Sequence, residues 1–569
     1  MASTRRRFLR TAGSGLASLG LAGCAPESEA HSAELLEALR QRLGLTPAAA
    51  TGGYVGQAFE RGHRLRTGNK DLKPDETRSI GIAIIGSGIA GLAAAGALRR
   101  GGIDDYRIFE LEDEAGGNSR GGQVAGFDCP WGAHYLPLPG PAAEDVAELL
   151  TELKLRHVVD GQPRYDERQL CHAPEERLFL PGKGQGRGQG RDLGIWQDGL
   201  LPILDQSAAT LAQYRRFAAL VAAETAPGRY TVPTSASRFD ERLAALDAET
   251  FSAWLDRHAL DALPLRWYLD YCCRDDYGAS SRFVSAWAGL HYFISRHGFT
   301  GPDEPTPAQA AADQVLTWPE GNAWLARRLA EPHREQIVNG ALVLGISESA
   351  EAVAVDVLDV QTQRITRWQA RQAIVATPLF IAARLIANPS AALQTAATQL
   401  PHAPWLVANL HLDGPLRQRH GQPPMSWDNV VYGSDGLGYV NAMNQSTRPH
   451  DGPTVLSYYR AFGDDPGAGR RELLARDWTH WREAIVADLA IAHPDLKDRL
   501  REVRIMRYGH AMAIPAPGMR SAPWLAALRH AAGRIHHAHS DLSSYSVFEE
   551  AYDQGLYAGR QAVKAAAGR

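Results

Sequence analysis

Several features that would name a chemistry outright are missing from this 569-residue chain. It has five cysteines, Cys24, Cys129, Cys171, Cys272 and Cys273, with no CxxC pair and no CxxCH run. That excludes haem attachment and leaves no spacing from which a disulfide framework could be read. Cys272 and Cys273, adjacent in an aromatic segment, read as buried free thiols. No stretch reaches the roughly 20 apolar residues that cross a bilayer. The formal net charge is −4, so there is no electrostatic footprint for nucleic acid. No nucleophile triad, metal-ligand spacing or internal repeat stands out.

What is present is a soluble, globular composition, with 44% apolar and 22% charged residues, too long for one ordinary core. At the start, residues 4–24 read TRRRFLRTAGSGLASLGLAGC. A basic beginning, a short apolar middle and a small-residue end are the layout of an export address. Arg5, Arg6 and Arg7 before Phe8 and Leu9 resemble a twin-arginine signal. Leu21-Ala22-Gly23-Cys24 resembles a lipobox, in which Cys24 would be lipidated and become the new N-terminus. Loss of the four arginines before Cys24 would take the formal charge from −4 to −8.

Residues 24–77 read as a polar tether with a short helix near 34–43. Then Ile82–Ile85, an apolar run typical of a buried strand, passes into Gly86-Ser87-Gly88-Ile89-Ala90-Gly91 and an alanine-rich helix to about Arg100. A second strand, Tyr106–Phe109, ends at Glu110, 19 positions beyond the last glycine. This is the full context of a dinucleotide fingerprint. Gly86 permits the tight turn, Gly88 lets backbone approach a pyrophosphate, and Gly91 lets helix and strand pack closely. The phosphates lie at the helix N-terminus, and Glu110 accepts from ribose hydroxyls. Further on, residues 182–192 (GKGQGRGQGRD) read as a mobile surface loop. Helices are expected at 205–224, 248–272, 470–492 and 548–566. Strands are expected at 336–346, 352–360, 372–376 and 535–538.

The surroundings favour FAD over NAD. Gly116-Gly117-Asn118, six residues after Glu110, resembles the E-x5-G-G-R stretch of the flavin-containing amine oxidase and phytoene desaturase superfamily. GFDCPWGAH (126–134), TWPEGNAWLARRLA (317–330), AIVATP (373–378) and residues 533–562 are similar to further motifs of that superfamily, in the same order. The resemblance implies non-covalent FAD, with Val343 beside the adenine, Asp541 near the ribityl chain and pyrophosphate, and a helix from Phe548 pointing at the flavin. Two departures are Asn118 in place of arginine and His539-Ser540-Asp541 in place of a small-Gly-acid run. The implied fold is α/β, a Rossmann-like FAD-binding domain interrupted by a mixed α+β substrate domain. The FAD parts would be 78–134, 316–395 and 526–569, and the substrate parts 135–315 and 396–525, after a signal at 1–23.

The resemblance implies hydride removal from a small-molecule substrate, an amine or polyamine. Alternatives are desaturation of an apolar carotenoid- or porphyrinogen-like molecule, or a non-catalytic FAD-bearing envelope protein. Acidic residues at a cavity would favour the amine, an unbroken apolar tunnel the desaturase. Two features are unlike many relatives. The aromatic of their G-Y-M-E-G-A is Val547 here, with Tyr545 or Phe548 as possible replacements. No lysine lies between Lys183 and Lys497, where many oxidases carry one that assists oxygen, so a dehydrogenase with another electron acceptor is expected. Candidate substrate-face groups are Arg274, Asp275, Asp276 and Tyr277; Trp287, His291 and Ile294 on one helical face; and His134 and His510. The three histidines are the candidate catalytic residues, since imidazole titrates near working pH. Partners are expected to be the twin-arginine export machinery and, through Cys24, the membrane of a bacterial periplasm, with no nucleic acid.

Overall fold

The computed structural model describes residues 50–56, 58–66, 73–182, 194–301, 314–448 and 451–567. The export-signal motifs and residues 183–192 lie outside these. No helix among the described residues is long and apolar enough to cross a membrane.

The apolar run before the fingerprint becomes the centre of a seven-stranded sheet. Glu76–Ile85 is flanked in parallel by Tyr106–Phe109 and by Ile365–Val375. Outside these lie, also parallel, Ile337–Val338 and Ile535–His537. Ile82, Ala83, Ile84 and Ile85 are all buried, as expected of a parallel strand covered on both faces. Ala341–Glu348 and Val353–Asp359 extend the sheet as an antiparallel meander onto Ile365–Val375. The expected strand at 336–346 is thus two strands, divided at Asn339-Gly340, where Gly340 has φ +65°. Crossover from the first strand is the Ile89–Arg100 helix. The closing Phe548–Ala567 helix packs on it with glycines at the contact: a Cβ on Gly555 would meet Ala90 O at 2.1 Å.

A second, eight-stranded sheet runs Thr51–Tyr54, Leu500–Ala513, His402–Leu412, Thr454–Ala461, Tyr439–Asn441, Asp428–Val431, Glu176–Leu180 and Ile195–Asp198. Its long central strands are antiparallel. Helices from 208–292 pack over it around Trp287, Phe217, Phe251 and Leu265. The single helix expected at 248–272 is two, Phe251–Arg257 and Leu263–Tyr277. Ala259 between them takes φ +50°, and Pro264 opens the second, where its missing N–H costs nothing. The helix expected at 470–492 is likewise Pro466–Ala475 and Trp478–Ala490, with Asp477 capping the latter by accepting from His480 N.

One expectation is corrected outright. Part of the stretch read as a tether is built into the fold: Thr51–Tyr54 is an edge strand parallel to Glu502–Ile505, and Phe59–Arg66 is helical. All four cysteines of the described residues are buried free thiols.

Candidate functional site

The fingerprint loop turns as its residues require. Gly86 takes φ +98°, and a Cβ on Gly91 would lie 2.0 Å from Gly86 O, so only glycine lets the helix start against the end of its strand. Across the loop Gly117, at φ +60°, faces Gly88, and a Cβ there would come within 3.1 Å of Gly88 Cα. The two bare backbones leave a cradle that any side chain would fill. Glu110, buried at the end of the second strand, accepts from Ser87 N at 2.9 Å, from Ser87 Oγ at 2.5 Å and from Glu112 N at 2.9 Å. These donors orient its carboxylate on the cavity beside the cradle.

That cavity has a volume of about 450 Å³ and is continuous from the cradle to the second sheet. Gly86, Gly88, Ile89, Ala90, Glu110, Gly116, Gly117, Asn118, Val343, Asp541 and Phe548 all line it. Ser87 and Gly91 lie just behind: Ser87 is fully buried, tied to Glu110, and Gly91 packs on Gly86. Asn118 ties the cradle to the second sheet, its Nδ2 donating to Ala511 O at 2.7 Å. Asp541 accepts from Leu379 N at 2.9 Å and lies 3.1 Å from both His402 Nε2 and His539 Nδ1. Burial opposes its ionisation, yet the two imidazoles hold it well below the usual carboxylate range.

The three histidines part company. His134 lines the cavity, its ring 4.6 Å from that of Tyr459 and 5.5 Å from that of Trp427. Burial pushes it down to about 3, so it is neutral at working pH. His510 also lines the cavity, 4.5 Å from the Phe380 ring, and burial with the nearby Arg470 charge takes it to about 3. His291 does not reach the cavity. It is fully buried, with Nε2 2.9 Å from Thr231 O and its ring 4.8 Å from Trp287. Its helix face is core, and His291 is withdrawn as a catalytic candidate. Tyr545 is withdrawn as the replacement aromatic: it is buried behind the wall, donating to Asp276 Oδ2 at 2.6 Å. Val547 and Phe548 line the cavity in its place.

On the side of the second sheet, the walls are Tyr135, Tyr271, Trp405, Tyr439, Tyr459 and Tyr508. Four carboxylates sit among them, Asp275, Asp276, Asp428 and Glu549, and Arg296 is the single arginine or lysine among the lining residues. Arg296 is already engaged, with Nη2 2.9 Å from Glu549 Oε1 and Nη1 3.6 Å from Asp276 Oδ1. Neither Asp275 nor Asp428 has an ion-pair partner among the described residues. Burial and the neighbouring Asp276 push Asp275 up to about 7, against the pull of Arg274. Burial, Glu176 and Asp275 push Asp428 well above the usual carboxylate range. Of the Arg274–Tyr277 cluster, then, Asp275 and Asp276 are cavity groups. Tyr277 is buried, donating to Ala288 O, and Arg274 pairs with Asp270. Asp428, Arg296 and the tyrosines were not legible, because each comes from a stretch without a motif. Only the run of aromatics and acids in 427–459 could have hinted at Asp428, Tyr439 and Tyr459.

A glycine cradle, a buried carboxylate beside it and an acid-rich cavity are what a dinucleotide-dependent oxidoreductase needs. The chain matches the flavin containing amine oxidoreductase family over residues 89–563 and belongs to that family. FAD is its cofactor, and the residues of the cradle fit it. Among solved structures, putrescine oxidase bound to putrescine is 16% identical, with a TM-score of 0.61 over 87% of this chain and 100% of that one. Cyclohexylamine oxidase from Brevibacterium oxydans is 19% identical, with a TM-score of 0.58 over 86% and 99%. Both share the Rossmann-like FAD-binding fold. In sequence, a Mycobacterium tuberculosis chain assigned as flavin-containing monoamine oxidase AofH is 39% identical over 75 residues, 13% of this chain. The match spans only 16% of that relative's length.

Proposed function

We propose that this protein removes a hydride from a cationic amine, with a polyamine the best-fitting class, and passes the electrons to an acceptor other than oxygen. The observation that carries the reading is the pair Asp275 and Asp428, two cavity carboxylates with no ion-pair partner among the described residues. Burying such groups uncompensated is costly. An ammonium guest supplies the missing charge, whereas an apolar polyene would leave it missing. The desaturase alternative asks for a carboxylate-free tunnel, and four carboxylates weigh against it.

The bound flavin supplies hydride acceptance. The protein's own residues bind, orient and dry the guest. Asp428 and Asp275 hold the ammonium. Asp275, with its affinity for a proton raised, takes one from the ammonium nitrogen, leaving the neutral amine whose α C–H bond is hydridic. His134, neutral beside Tyr459, donates or accepts a hydrogen bond without adding charge. Tyr271, Trp405, Tyr439 and Tyr459 exclude water, which strengthens each ionic contact.

The absence of any lysine from 184 to 496 supports an acceptor other than oxygen. The twin-arginine-like and lipobox-like residues support export, with anchorage to a bacterial envelope membrane through Cys24. The test is anaerobic titration of holoprotein with a panel of monoamines, diamines and polyamines, followed at the flavin band near roughly 450 nm. Bleaching by an amine, with slow recovery in air, is the expected result. An intact band with every amine overturns the reading.

A further inference from the structure

The segment ahead of the nucleotide fold grips the residues that follow its ribose acceptor. Tyr54 ends the edge strand under the Arg507 guanidinium, 3.6 Å from its ring. The chain then crosses to the first sheet. Ala58 N donates to Glu112 Oε2 at 3.2 Å. Arg61 Nη1 donates to Leu111 O at 3.2 Å and to Asp113 Oδ1 at 2.8 Å, and Nη2 donates to Asp113 Oδ2 at 3.2 Å. Leu65 packs against the apolar clusters that hold Leu342 and Val343, and it lines the cavity with both. Leu111, Glu112 and Asp113 directly follow Glu110, and Glu112 N is one of the donors that orient the Glu110 carboxylate.

We propose that Ala58–Leu65 is a latch that retains FAD, with Leu65 the lid over the Val343 side of the cavity and Arg61 its fastening. The chain of contacts runs from Ala58 to Glu112 to Glu110, so the latch also fixes the ribose acceptor. Opening it exposes an apolar wall and frees the Leu111–Asp113 turn in one motion. A dinucleotide held by an open cradle alone leaves as fast as its own contacts break. A segment closed over it must first be displaced, and that lowers the release rate. The inference rests on FAD as cofactor and is independent of the amine reading.

The test uses holoprotein diluted into buffer without free FAD, with release read as the rise in flavin fluorescence. Leu65→Ser removes the lid's apolar contact and Arg61→Ala the fastening, which itself lies outside the cavity lining. Each is expected to release FAD about tenfold faster than wild type, and the Arg61→Ala apoprotein is expected to melt at the wild-type temperature. Should Leu65→Ser fail to load the cofactor, Arg61→Ala decides. A wild-type release rate in Arg61→Ala, or faster release accompanied by a lower apoprotein melting temperature, overturns the latch.

Discussion

Arg296 and Glu549, 253 positions apart in the chain, meet in a buried ion pair, Nη2 to Oε1 at 2.9 Å, on the wall of the cavity. Glu549 follows Phe548 at the start of the closing helix, and Arg296 lies in the Phe293–His297 turn after the Ala286–Tyr292 helix. Arg296 also faces Asp276, which Tyr545 holds from the other side. One cation therefore serves two carboxylates, and the nearby Asp275 and Asp428 have no ion-pair partner among the described residues.

Removing that cation should be costly. Arg296→Met leaves Asp276 and Glu549 buried without compensation, and the folded protein should lose about 3 kcal/mol, as broken buried pairs do. Adding Glu549→Gln to the same chain removes one of the stranded charges and should recover part of the loss. Chemical denaturation of the three apoproteins measures it. Equal stability of wild type and Arg296→Met would show that the pair is solvated and that the charge argument for the cavity is wrong.

Asp275 gives a pH signature with a definite sign. Its folded value is raised to about 7, so the folded state holds a proton there that the unfolded state gives up. The stability this contributes is full below the ordinary carboxylate range and is lost as pH rises towards 7. Relative to wild type, Asp275→Asn should therefore become progressively more stable between about pH 4 and 7. Catalysis moves the other way. The carboxylate must be ionised to take a proton, so kcat/KM should rise through a limb near pH 7 in wild type. Asp275→Asn should lose that limb and about 10²-fold of kcat/KM. A variant that keeps the wild-type profile would remove Asp275 from the proton path.

The nucleotide half of the site was legible because its information is local. Gly86, Gly88 and Gly91 are fixed by one turn of backbone, Glu110 by the length of one βαβ unit, and Phe548 by the helix it starts. The substrate half was not. Asp428, Tyr439 and Tyr459 come from separate strands of one sheet, and only the sheet order brings them to Asp275 and Arg296. His134, His291 and His510 looked equivalent because nothing local says which way an imidazole points. The structure aims two of them at the cavity and the third at the Thr231 carbonyl. The Ala58–Leu65 segment was missed for a related reason. Its composition is that of a linker, and its order comes from partners at Leu111–Asp113, supplied by the rest of the fold.

Glu110 is testable without any substrate. Glu110→Ala removes the expected ribose acceptor and also frees Ser87 and Glu112 N, loosening the turn of the cradle. FAD affinity should fall by about 1–3 kcal/mol, the range for lost hydrogen bonds to a charged group. Titration of apoprotein with FAD, followed by quenching of flavin fluorescence, measures it. Unchanged affinity would mean that Glu110 serves the loop alone.

Export and cofactor loading predict one another. The cavity is lined by residues near 86–118, 343 and 541–548, so it is complete only once both ends of the fold have come together. A flavoprotein loaded where FAD is made gains from crossing the membrane already folded, and the twin-arginine-like Arg5-Arg6-Arg7 before Phe8-Leu9 fits such a route. Arg6→Lys with Arg7→Lys should then leave FAD-loaded precursor in the cytoplasm, with its fluorescence absent from the envelope fraction. Cys24→Ser should leave export intact but release the mature protein from membranes into the soluble periplasmic fraction. Delivery of the Arg6→Lys, Arg7→Lys chain to the envelope at the wild-type level would sink the export reading, while leaving the FAD site and its latch untouched.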